Sequence, residues 1–320
     1  MRVRRSAHRA LPLALLGMLV MGPPGVLSAD PDRVAYARLL DGGGAEVFTA
    51  NPDGSDEQLV PLQDLAEDFS VPVWSRDHSH LLISHMLRFG DGDFLPFRPA
   101  IVRPDGSDYR LLTIPDGPHD MDCPAWSPDE SRIYCAFGGE APGIFSIRAS
   151  DGGDARRLTT PLFPPNGFDF PADVSPDGSQ LVFIRKKPGP APDPQPYRME
   201  QFALYVINTD GTNERMVVPF GITHGHEIMA AHWSPDGRTI LSTNTHGRLY
   251  TVSPNGGGIR FIKLGIDGFA FSANWSPDGS RIIFGLFGSD GEDLWTADPD
   301  GSDVERVTET PDFENGPDWR

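Results

Sequence analysis

Long apolar runs are nearly absent from this 320-residue chain. The one stretch of that kind, Leu11 to Gly22, has 12 residues and is too short to cross a bilayer. It follows the basic start Arg2, Arg4, Arg5 and Arg9 and precedes the small residues Val26 to Ala29, the layout of a cleaved signal peptide over residues 1–29. With no second apolar run, no membrane span is expected after cleavage. The chain has only two cysteines, Cys123 and Cys135, and neither is near the cleavage point, so a lipid anchor there is not expected. Basic residues are also scarce, 27 Lys and Arg against 45 Asp and Glu. The formal charge of −18 becomes −22 once the leader's four arginines are gone, and so acidic a surface repels phosphate backbones, which excludes nucleic acid as a partner. No G-x-S-x-G elbow, P-loop or dinucleotide fingerprint occurs, and nothing reads as a long amphipathic helix.

What the chain has instead is repetition. "HWSPDGRTI" from His232 returns as "NWSPDGSRIIF" from Asn274, "AWSPDESRIYC" from Ala125 and "DVSPDGSQLVF" from Asp173. Trp74, Trp126, Trp233, Trp275 and Trp319 mark the register, with Val174 in one Trp place, at gaps of 42 to 59 residues. A second phrase alternates with the first: "NPDGSDEQL" at Asn51, "RPDGSDYRL" at Arg103, "ASDGGDARRL" at Ala149, "NTDGTNERM" at Asn208, "SPNGGGIRF" at Ser253 and "DPDGSDVERV" at Asp298. In S-P-D-G, Pro presets φ, Asp suits the next position and Gly accepts positive φ, giving a type I turn that leads into a bulged hairpin. Turns of this kind joining short β-branched and aromatic runs, in units of roughly 40–50 residues, are blades of a β-propeller.

The expected fold is all-β: a six-bladed β-propeller over residues 30–320 with four-stranded antiparallel blades. The chain stops at "PDWR", a first strand without its hairpin, while "DPDRVAYARLL" from Asp30 reads as the missing continuation. The N- and C-terminal strands are therefore expected to pair and close the ring, removing sheet edges. The words W-S-P-D-G followed by an apolar strand resemble the TolB-type propeller repeat across essentially all of residues 30–320. Departures are Val174 for Trp, Glu130 for Gly, and Arg76 and His78 in "WSRDHS". Members of that family carry an additional N-terminal α/β domain, for which no room is expected here. The resemblance thus implies the propeller and not a place in the Tol envelope system.

The tryptophans are expected to pack between blades, and the turn acids Asp77, Asp129, Asp177, Asp236 and Asp278 to cap their own hairpins. If Trp126 faces Arg132 across its hairpin, Cys123 faces Cys135, and a cross-strand disulfide follows. Both families of turns fall on one face of the ring. The other connections, where the sequence stops repeating itself, fall on the opposite face, and binding is expected there. Two insertions belong to it: Arg88 to Pro99, carrying Phe94 and Phe97, and the proline-rich Lys186 to Gln201. The segments entering the first strands add Asp68, Asp120, Asp122, Asp169, His224, His226, Glu227 and Asp267, a candidate ring around the channel mouth.

On an extended segment His224 and His226 point the same way, as two ligands of a divalent metal do, with His119, Asp120 or Asp122 as a third. The leading reading is a periplasmic or secreted, non-catalytic propeller that binds a protein partner through its loop-rich face and needs no cofactor. The alternatives are a metal-dependent polysaccharide lyase built on His224 and His226, and a carbohydrate-binding propeller without turnover.

Overall fold

The computed structural model describes residues 32–40, 44–62, 68–69, 71–86, 98–112, 121–138, 142–162, 167–188, 200–220, 228–244, 246–289 and 291–319. Their repeated turns form as the residue types dictate. Next to Val174, the Gly178 N–H donates to Ser175 O at 2.8 Å, closing a type I turn. Ser175 Oγ donates to Asp177 Oδ1 at 2.7 Å, and the same oxygen accepts the Ser179 N–H at 3.0 Å. Asp77, Asp129, Asp236 and Asp278 repeat this capping. Two blades lack glycine at the end of that turn, and His78 and Glu130 take its left-handed conformation at φ 55° and 58°. Glu130 Oε1 also accepts the Asp77 N–H of the neighbouring blade at 2.9 Å.

These turns organise six antiparallel sheets, blades 1 to 6, whose innermost strands are in turn Phe313–Trp319, Asp68–Phe69 with Val73–Trp74, Met121–Trp126, Phe168–Val174, Ile228–Trp233 and Phe269–Trp275. Blade 4 is made of Phe168–Val174, Gln180–Pro188, Glu200–Asn208 and Arg215–Val218, in that order from the centre outward. Blade 1 is assembled from both ends of the chain: Phe313–Trp319 lies innermost, followed by Val34–Leu39, Ala45–Ala50 and Gln58–Leu59. Val34 stands opposite Trp319 and Ala35 opposite Asp318, so the ring closes as the repeat requires.

No blade has a core of its own. Six buried clusters lie between successive blades, and each holds the residue at the Trp position. Trp74 packs with Ala35 and Val47 of blade 1, Trp126 with Val73 and Leu82 of blade 2, and Trp319 with Ile283 of blade 6. Two indoles add a bond across the interface, Trp126 Nε1 to Val73 O and Trp275 Nε1 to His232 O, both 3.3 Å. A ring of this kind is stable only when complete, because each sheet buries its faces on its neighbours.

The innermost strands share a feature that only pairing reveals: each has one residue more than the strand beside it. In blade 4 Ala172 is extra, between the pairs Pro171–Phe183 and Asp173–Val182. In blade 1 Gly316 and Pro317 both oppose Tyr36, and in blade 6 Ser272 and Ala273 both oppose Phe284. Blades 2, 3 and 5 show the same one-residue shift. Such bulges bend a strand and re-aim its side chains. In blade 3 the bulge also corrects the expected cysteine register. Trp126 stands opposite Ile133 instead of Arg132, and the extra residue at Cys123–Pro124 brings Cys135 back into line. Cys123 and Cys135 are joined by a disulfide.

Candidate functional site

The bulges surround a cavity of about 450 Å³ at the loop-rich end of the central channel. Val71, Pro124, Ala172, Ser272 and Gly316, at or beside the extra residues of five blades, all line it. A ring of backbone bends thus makes the wall, and the side chains on it are mostly apolar. The cavity is not symmetric. Among the described residues, blade 4 alone contributes from its second and third strands, through Ile184, Lys186 and Phe202. Among the described residues those two strands run nine residues each, where their counterparts in the other blades have five to seven. At about 3.3 Å per residue the paired stem described for blade 4 is roughly 7–13 Å longer than those described for the other blades.

Two carboxylates tie the channel wall together. Asp318 of blade 1 accepts the Trp74 N–H of blade 2 at 2.8 Å and Asn274 Nδ2 of blade 6 at 2.6 Å, so it spans both sides of the closing seam. Asp173, at the same repeat position of blade 4, accepts its neighbour Val174 N–H at 2.8 Å and the Trp233 N–H of blade 5 at 2.9 Å. His232 lies close by, its Nδ1 4.0 Å from Asp173 Oδ2. A second cavity of about 390 Å³ opens at the turn end, bordered by Trp126, Trp233, Trp275 and Trp319 with the prolines of the S-P-D-G turns.

Of the acids expected at the mouth, Asp122 lines the cavity. Asp169 does not serve as an open anion. Its side chain is 0% exposed and accepts both Nε and Nη2 of Arg185, at 2.7 and 2.8 Å. Burial works against the Arg185 charge, and Asp169 and Glu214 more than restore it, holding the guanidinium protonated. The correction has a simple cause: Asp169 and Arg185 are direct cross-strand partners, a pairing invisible until the register is known. Asp267 is exposed in the connection before Phe269–Trp275. Asp68 lies on the short strand Asp68–Phe69. Asp120, His224, His226, Glu227, Phe94 and Phe97 lie outside the described residues, as do His119 and residues 1–31. Among the described residues no three His, Cys, Asp or Glu side chains gather as a metal site, and no helix is long and apolar enough to cross a membrane.

The sequence reading missed Phe170, Ile184, Phe202 and His232, and named Lys186 only as the start of the proline-rich insertion. The alternation in "LVFIRKK" marks a strand, but it does not say which face meets a channel.

Comparison with known proteins bears on the fold directly. No family model matches the sequence. The Tol-Pal system protein TolB of Anaeromyxobacter dehalogenans (strain 2CP-C) is 33% identical over 312 residues, which cover 97% of this chain and 60% of that protein. The solved TolB of Acinetobacter baumannii superposes with a TM-score of 0.66 at 14% identity, over 90% of this chain and 66% of that one. The ring is similar to the β-propeller of these TolB proteins. The chain spans 60% of the length of its Anaeromyxobacter relative, so the TolB-type likeness concerns the ring. An oligogalacturonate lyase in complex with manganese shares the fold too, with a TM-score of 0.52 at 15% identity over 88% of this chain and 75% of that one. The ring by itself therefore does not choose between binding and catalysis.

Proposed function

We propose that the chain is an exported, non-catalytic propeller that holds a protein partner on its loop-rich face. The observation that carries this reading is where the exposed apolar side chains lie. Of the nine large apolar side chains exposed among the described residues, six, Leu39, Val71, Leu162, Phe170, Ile266 and Phe287, sit at strand ends or connections of that face, and the other three, Leu59, Met216 and Phe261, lie on outermost strands. The turn face presents instead hydrogen-bonded aspartates and ion pairs such as Arg33–Asp56, Arg132–Asp154 and Arg281–Asp303. Apolar groups spread around a concave mouth are the usual mark of a protein contact. Two further points support it: the Anaeromyxobacter relative is named for the Tol-Pal system, and the Cys123–Cys135 disulfide suits an oxidising compartment such as the periplasm.

The test is capture of a partner from envelope extract, followed by titration with that partner purified. Leu39→Asp combined with Phe287→Asp is expected to weaken binding about tenfold or more, as loss of interface anchors does. Phe261→Asp on the outer rim is the control and should bind normally. Equal binding by all three proteins would refute the face assignment. Stoichiometric transition metal in the purified protein, lost on changing His224 and His226 to Ala, would favour the lyase reading instead.

A further inference from the structure

We infer that the outer turn of blade 5, Ser253 to Arg260, binds a carboxylate from outside the chain. The other five blades supply the comparison. Before the turn glycine each carries an acid, Asp53, Asp105, Asp151, Asp210 or Asp300, whose carboxylate accepts the N–H two residues on at 2.8 or 2.9 Å. Three residues after that acid comes a second polar residue in the left-handed conformation, four times Asp and once Asn, at φ 51° to 55°. Blade 5 has neither acid. Asn255 stands in the first place and Gly258 in the second. The turn still closes as the others do, with the Gly256 N–H donating to Ser253 O at 2.9 Å and the Ser253 N–H to Gly257 O at 3.2 Å. Among the described residues, however, no acceptor takes the Gly257 N–H. A Cβ on Gly257 or Gly258 would meet nothing within 4 Å, so the space that a carboxylate would need is open. Successive N–H groups on a turn of this kind form a concavity that suits an anion.

Two cations flank the turn without bringing an acid to it. Arg260 stands opposite Thr251, the register that Arg156 holds opposite Ser146 in blade 3. There Arg156 reaches the left-handed Asp154 at 2.7 Å. With Gly258 in that place, Arg260 is exposed and has no ion-pair partner among the described residues. From blade 4, Arg215 donates to Pro254 O of the turn at 3.1 Å and to Gln180 Oε1 at 3.0 Å, both neutral. Burial loosens the Arg215 proton, and no carboxylate offsets it. Arg215 acts on the turn through its charge and needs no further bond. The blade as a whole has the same sign: from Ile228 to Asp267 it has four lysines and arginines against two acids, in a chain of 27 against 45. A carboxylate seated on the Gly257 and Gly258 N–H groups and on Arg260 completes in blade 5 what the other blades build from their own aspartates. That chemistry is shared by a small free acid and by an aspartate or glutamate side chain of another protein.

The turn lies on the face opposite the loop-rich mouth, so this site stands or falls apart from the protein partner assigned there. Isotope-labelled protein is titrated with acetate at constant ionic strength, and the Gly257 and Gly258 amides are followed by NMR. Both signals are expected to move saturably with acetate and to stay in place with acetamide. Arg260→Gln should weaken acetate binding about tenfold, the increment of one charge-assisted hydrogen bond. Asn255→Asp combined with Gly258→Asp gives blade 5 the two acids that blade 3 has, and should abolish the response by filling the site from within. A Gly-Asp-Gly peptide blocked at both ends forms a second arm. Tighter binding of the peptide than of acetate assigns the site to a protein side chain, and equal or weaker binding assigns it to a small acid. No response to acetate, an equal response to acetamide, or undiminished binding by either variant would overturn the inference. If the double variant fails to fold, as judged by circular dichroism, Arg260→Gln and the acetate–acetamide pair still decide it.

Discussion

Arg38 and Arg185 occupy the same place in two blades that stand opposite each other across the ring. Each lies directly across from an acid on its innermost strand, Glu314 for Arg38 and Asp169 for Arg185. Each also binds a second acid before the outermost strand, Glu57 and Glu214 respectively, and lies over an aromatic ring, Phe48 at 4.3 Å and Tyr205 at 4.6 Å. Blades 3 and 6 match in the same manner. Thr159 Oγ1 accepts the Ile144 N–H and Thr308 Oγ1 the Leu294 N–H, both at 2.9 Å. Blades 1 and 4, and blades 3 and 6, are thus related pairs across the ring.

Removing either arginine should be costly. Arg185→Met leaves Asp169 buried without its cation, and breaking a buried pair from one side costs about 3–5 kcal/mol. Guanidinium unfolding should show the midpoint fall with an unchanged slope. Arg185→Met with Asp169→Leu and Glu214→Gln should recover much of the loss. A single variant as stable as the parent would show that the pair contributes nothing.

The disulfide closes a loop with a sequence separation of 12, and chain entropy for such a loop predicts about 3 kcal/mol. Cys123→Ala with Cys135→Ala should lower stability by about that amount in the same assay. Because both cysteines are nearly inaccessible, dithiothreitol should act on the folded parent slowly and only through unfolding.

Gly54 tests how blades abut. It sits at φ +79°, and a Cβ there would meet Val307 O of the neighbouring blade at 2.1 Å. Gly257 has φ +76° with nothing within 4 Å. Gly257→Ala should therefore cost only the left-handed strain, about 1–2 kcal/mol. Gly54→Ala adds a backbone clash and should lower the melting temperature clearly further.

Acid should weaken the turns. Side-chain hydrogen bonds from Ser127, Ser175 and Ser234 hold Asp129, Asp177 and Asp236 below the ordinary value of 3.8. A depressed folded pKa contributes stability above the unfolded value and loses it as pH falls through the folded one. Stability should thus decline below about pH 4 from these groups. Burial pushes Glu314 the other way, so its contribution is present at acid pH and is lost as pH rises through its raised folded value. Replacing the three serines with Ala should make the decline below pH 4 shallower in urea titrations from pH 2 to 6.

Much of the architecture was legible because its causes are local. S-P-D-G and D-G turns need only neighbouring residues, and the spacing between their copies counts the blades. The broken last copy at Trp319 even identified its partner near Val34, since a repeat cut in two has one way to be completed. The end of the channel and Asp122 were legible, but most of the site's lining was not, because its causes lie between distant strands. Arg38 and Glu314 are separated by 276 positions, and Asp169 looked like an open acid until the register placed Arg185 across from it. A bulge is a difference between two paired strands, so one strand's sequence cannot display it. The cavity, its lean toward blades 4 and 5, and the presence of Lys186 on its wall follow from that pairing and from the small side chains at Ala172 and Ala230. Only the closed ring decided them, because only there do six separate bends meet around one axis.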